Sequence, residues 1–114
     1  MIILQLKWFC KLLGVRGIML FPFIIVNNKR DKVLINHETI HYEQAKELWV
    51  FKFYWLYFKF YFQNRKRYTG FKALKHFWSY RSIPFELEAF GNQKNLDYLV
   101  HRKPNAWKKY IAGE

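Results

Sequence analysis

Residues 37–41 read HETIH. On a helix, side chains four apart share one face, so the imidazoles of His37 and His41 can close on a single metal ion. Zn²⁺ is the ion this motif typically holds. Glu38 follows the first imidazole and stands where it can take a proton from a metal-bound water. The chemistry implied is hydrolysis by metal-activated water, with Glu38 as the catalytic base. Two competing readings are a pair of solvent-facing histidines on a basic helix and a metal site without turnover.

Structural zinc sites use four protein ligands, and catalytic sites use three plus a water. The third ligand must come from beyond the motif. An HExxHxxGxxH arrangement would put Gln44 at the glycine and Glu47 at the last ligand. Without the glycine the helix continues, and Glu47 points about 240° around from His41. A ligand four residues after His41 would fall on Ala45, which has no donor atom. A carboxylate on a later helix remains, and residues 83–90, IPFELEAF, offer Glu86 and Glu88. They diverge by about 200° on a helix, so only one can face the metal.

HExxH followed by a glutamate in an E-x-E-A context resembles the gluzincin metallopeptidases. The likeness is closest to the minigluzincins and the membrane-linked HtpX-type peptidases. The order of elements is also similar: strand, turn, HExxH helix, then glutamate helix. The resemblance implies a minimal zincin-like fold, with zinc held by His37, His41 and Glu86. It implies a peptide or protein substrate lying extended along a rim strand, here Gly17–Val26. In that family the ligand glutamate is typically followed four positions later by Asp or Asn; here that position is Phe90.

Hydrolysis of a carbonyl also needs a donor to the developing oxyanion. Tyr80, Arg81, Tyr98 and His101 all fall near the glutamate helix, and the sequence does not choose among them. Asp97, eleven residues after Glu86, would share its helical face and could back the ligand. His76 and His101 stand alone and read as structural. Glu43 and Glu47 read as charge partners for lysines along the helix.

These side chains need elements to position them. Residues 17–26, GIMLFPFIIV, read as a strand, and Pro22, which cannot donate to a ladder, makes it an edge strand. Asp31 is the N-cap of a helix that carries HETIH and meets no Gly or Pro before about Phe62. Unbroken, it would span roughly 45 Å, with a bend after Leu48 allowed. Residues 63–70 read as a basic loop and residues 71–80 as a short helix. Pro84 opens a helix running to about His101, and Pro104 opens a short terminal one. Residues 1–16 are amphipathic and ambiguous. The predicted class is α+β, mostly helical, with a small sheet packed on the HETIH helix, in one domain over residues 1–114.

Apolar residues make up 52% of the chain and aromatics 22%. That much apolar surface collapses, which excludes disorder. The 20 lysines and arginines against 8 acids give a net charge of +12, attractive to anionic lipid or nucleic acid. Cys10 is the only cysteine, which excludes an intrachain disulfide and a cysteine zinc site and fits a reducing compartment. Lys7 and Lys11 interrupt the N-terminal apolar stretch, so no secretory signal is read there. The longest near-apolar run, Leu48–Phe62, contains Lys52 and Lys59 and falls short of the roughly 18 residues of a membrane span. The expected location is cytoplasmic, or peripheral on the cytoplasmic face of a membrane. The alternative to a peptidase is a non-enzymatic basic, aromatic module. It would bind an anionic membrane surface, with nucleic acid less favoured because no nucleic-acid motif accompanies the charge. The sequence leaves the oligomeric state open.

Overall fold

The protein is described by a computed structural model over residues 1–68 and 70–111. It is a mostly helical α+β fold with one small sheet. Strand β1 (Ile2–Gln5) leads into helix α1 (Lys7–Leu13), followed by strands β2 (Gly17–Leu20) and β3 (Phe23–Val26). Helices α2 (Lys32–Glu47), α3 (Phe51–Arg67), α4 (Lys72–Arg81), α5 (Pro84–Asn92) and α6 (Tyr98–His101) follow, then a 3₁₀ turn at Ala106–Tyr110.

The single edge strand expected over residues 17–26 is instead a hairpin. Phe21 and Pro22 form its turn, where a residue without an N–H breaks no ladder. Strand β3, FIIV, is apolar throughout and lies in the middle, parallel to β1 and antiparallel to β2. Its Ile24, Ile25 and Val26 are buried. Strands β1 and β2 are the two edges. Residues 1–16 resolve into a strand, because β3 offers a partner edge, and a short helix closed by Gly14 in the left-handed conformation.

Asp31 caps α2 as its sequence requires, its side chain accepting from the Leu34 N–H at 3.0 Å. The helix does not run on to Phe62. It stops at Leu48, and the chain turns through Trp49 and Val50, both at φ 57°. The Ala45 carbonyl accepts from the amides of Leu48 and Val50, at 3.2 and 2.8 Å, and closes the turn. Left-handed backbone at a β-branched valine is costly, so tertiary packing must hold it. A continuous rod of roughly 45 Å would also exceed the 36 Å longest extent of the molecule. Folding back buries Phe53 and brings Tyr54 and Tyr57 over the sheet and α5.

Helix α3 then continues through the residues read as a basic loop, as far as Arg67. Arg65, Lys66 and Arg67 occupy its last turn, where cations favour the exposed carbonyls. Helix α5 begins at Pro84 as expected but ends at Asn92, well short of His101. Asn36 on α2 accounts for the stop: its amide donates to the carbonyls of Gln93 and Asn95 at 2.8 and 3.0 Å. Trp107 from the terminal turn closes the core against Phe85, ring centroids 4.7 Å apart.

Candidate metal centre

Helix α2 carries His37, Glu38 and His41 on the face turned toward α5 and the sheet, and all three are buried. Glu86 comes from the first turn of α5 and is also buried. His37 Nε2 and His41 Nε2 each lie 3.0 Å from Glu86 Oε1, and 3.2 Å from each other. Tetrahedral coordination with bonds of about 2.0–2.1 Å needs ligand atoms about 3.3 Å apart. The triangle is within a few tenths of an ångström of that, so this group can hold a metal ion.

The hydrogen bonds behind the rings dictate which nitrogens face inward. Gln44 Nε2 donates to the Phe85 carbonyl and to Glu88 Oε1, at 3.1 and 2.9 Å. Its oxygen therefore faces His41 Nδ1 at 2.8 Å, and that nitrogen must be the donor. Gln93 Oε1 accepts from His37 Nδ1 at 2.8 Å in the same way. In the neutral rings both Nε2 atoms then carry lone pairs. Two lone pairs and a carboxylate oxygen then converge on one point, a set that can share a single cation.

In the metal-free fold a proton on His41 takes that place. Burial alone would lower the His41 pKa, but the Glu86 carboxylate outweighs it and lifts the ring to about 9. Burial alone would raise Glu86, yet His41 and His37 hold it well below the usual carboxylate range. Glu38 is pushed up by burial and by Glu86, with His41 and His37 pulling it part of the way back.

The choice between the two glutamates is decided by their partners. Glu88 points away from the triad and is fully buried, with Tyr98 Oη at 2.6 Å and Arg102 Nε at 2.5 Å on Oε2. It supports the site indirectly, through Gln44 to His41. Phe90 supplies no carboxylate; its ring packs edge-on to His37 at 4.5 Å. Glu47 pairs with Arg102 at 2.6 Å, not with a lysine, while Glu43 pairs with Lys46 at 3.6 Å. Asp97 is exposed and outside the site, because the helix that would have aligned it with Glu86 has already ended.

Of the four candidate oxyanion donors, only Tyr80 reaches the cleft around the triad. Arg81 lies over the Phe90 ring at 3.9 Å, Tyr98 serves Glu88, and His101 is exposed elsewhere. A cleft of about 190 Å³ is bordered by Gly17–Leu20 of β2, Glu38, His41, Glu86, Tyr57 and Tyr80. A second of about 590 Å³ adjoins it past Glu38 and Tyr80, lined by His37, His76 and Gln93. His76, read as isolated, therefore borders the cleft, held by Tyr61 Oη at 2.6 Å. Tyr57 escapes the sequence reading altogether. Its hydroxyl donates to Glu86 Oε2 at 2.6 Å and fixes the carboxylate that faces both imidazoles. Burial, then Glu86, push the Tyr57 and Tyr80 phenols far up, so both remain donors. Gly17 lets β2 approach α2, since a Cβ there would stand 3.0 Å from Leu34 and 3.4 Å from Glu38.

No helix among the described residues is long and apolar enough to cross a membrane. Comparison with protein-family models, with curated proteins and with solved structures finds no match to this chain.

Proposed function

We propose that the protein is a zinc-dependent peptidase of the zincin type. The observation that carries this reading is the convergence of His37 Nε2, His41 Nε2 and Glu86 Oε1 beside an open cleft that Glu38 also lines. An N, N, O donor set suits zinc. Bound there, zinc supplies Lewis acidity, polarising a carbonyl and lowering the pKa of water to about 7.

The chain's own residues supply the rest. Glu38 borders both clefts, and its raised pKa suits a base that takes a proton from water and returns it to the leaving amine. Tyr80 faces the same cleft as a permanent donor and is the best-placed group for an oxyanion. Strand β2 is a sheet edge along the cleft, so an extended peptide can add to it by main-chain hydrogen bonds. Tyr54 Oη already donates to the Met19 carbonyl and accepts from the Phe21 amide, both at 3.0 Å. The edge open to a substrate therefore ends at Met19.

The test is metal content with activity on unstructured peptides. Wild type should carry one zinc per chain. His37→Ala should lose it. Glu38→Gln should keep zinc and lose on the order of 10²–10⁴ in hydrolysis. Stoichiometric iron in place of zinc, or hydrolysis untouched by Glu38→Gln, refutes the proposal.

A further inference from the structure

Helix α3 exposes the wrong kind of residue for water. Phe51, Trp55, Phe58 and Phe62 are 86%, 62%, 59% and 58% exposed. At 100° per residue they fall within about 60° of one another, a single aromatic stripe along about three turns. The opposite face of the same helix is the buried one, with Phe53, Tyr57 and Asn64 turned to the core and to Glu86. The turn before the helix presents Trp49, also 86% exposed. Contiguous exposed aromatics of this kind mark a docking surface.

Charge identifies the occupant. Lys52, Lys59 and Lys66 run along one flank of the stripe, all exposed, and the Lys59 ammonium lies 5.1 Å from the Trp55 ring centroid. Between Leu48 and Phe85 the sequence contains no carboxylate. A second copy of this chain, docked stripe to stripe, would set lysines against lysines with nothing to neutralise them. Nucleic acid is gripped in a basic groove that tracks the strand, and this surface is a convex helix. A bilayer with anionic headgroups meets both demands. Phe and Trp rings enter the headgroup–acyl boundary, while lysine stems snorkel to the phosphates.

We propose that α3, with Trp49, is an interfacial helix that seats the protein on anionic lipid. The seat stands independently of the hydrolase reading. It would hold the metal centre about one helix diameter, 10–12 Å, from the lipid surface, because Tyr57 on the far side of α3 touches Glu86.

Sedimentation with vesicles tests this. The full chain should bind vesicles of mixed phosphatidylglycerol and phosphatidylcholine, with a blue-shifted tryptophan emission, and should bind phosphatidylcholine alone weakly. Trp55→Ser with Phe58→Ser changes only exposed positions, so circular dichroism should be unchanged while binding falls at least about tenfold. Lys52→Glu with Lys59→Glu should weaken binding and flatten its dependence on salt. Failure of the wild type to bind the anionic vesicles overturns the proposal. So does equal binding by the serine variant, or a dimer in solution that this variant dissolves.

Discussion

At the scale of single residues, the centre depends on groups that are not ligands. His37 and His41 announce themselves by spacing, and Glu86 by the E-x-E-A context and its separation from the motif. Gln44, Gln93 and Tyr57 carry no such signal, since an amide or a phenol gains meaning only when folding brings it to a ring nitrogen or a carboxylate. Gln93 orients the His37 ring from a half-buried position, so Gln93→Ala should leave the fold intact and cost about 10–100-fold in zinc affinity. Retained affinity in a metal-competition titration would show that the amide is idle. The protons make a second prediction. His41 is raised in the metal-free fold from 6.5 to about 9, so its contribution to stability is complete below pH 6.5 and fades as pH rises through 9. A metal ion bound there must displace that proton. Between pH 7 and 8, calorimetry in buffers of different ionisation enthalpy should register about one proton released per zinc. The gain in melting temperature on adding zinc should grow as pH rises over that range. A gain independent of pH would contradict it.

At the scale of elements, the helix start at Asp31 and the Pro84 opening were legible because each rests on local chemistry, a cap and a fixed φ. The ends were not. The break at residues 48–50 has no Gly or Pro, and two residues take left-handed backbone there because packing of Phe53, Tyr54 and Tyr57 outweighs local preference. The stop after Asn92 depends on Asn36, more than fifty residues earlier. One tie between elements is open to a direct test. Glu88 on α5 is fully buried and pairs with Arg102, which follows α6 and also binds Glu47 on α2. Arg102→Met removes the cation and leaves Glu88 buried and charged, and should cost about 3–5 kcal/mol in urea unfolding. Adding Glu88→Gln should restore much of that loss. Burial alone would raise Glu88, but hydrogen bonds from Arg102, Gln44 and Tyr98 lower its pKa. Its contribution is thus present above the ordinary carboxylate value and lost as pH falls through the lower folded one. Wild type and Arg102→Met should therefore converge in stability toward strong acid.

At the scale of the whole molecule, the charges are sorted by depth. Glu38, Glu86 and Glu88 are buried, while of the 20 lysines and arginines only Arg16, Lys46 and Arg102 reach a carboxylate among the described residues. The surface is thus more positive than the net charge of +12 conveys; the motif marks Glu38 and Glu86 as facing a site, but nothing local to Glu88 marks it as turned inward. Self-repulsion of such a surface opposes the compact state. The attractive pairs that salt would weaken are few, and the Arg102 pairs are buried and screened little. Screening should therefore remove more repulsion than attraction. The melting temperature should rise by a few degrees as NaCl goes from about 0.01 to 0.15 M, over which the screening length shortens from about 30 to 8 Å. Binding to anionic vesicles should weaken over the same interval, because the same lysines make it. The two measurements must move in opposite senses. A melting temperature that falls with salt would mean that ion pairs, and not repulsion, dominate the surface.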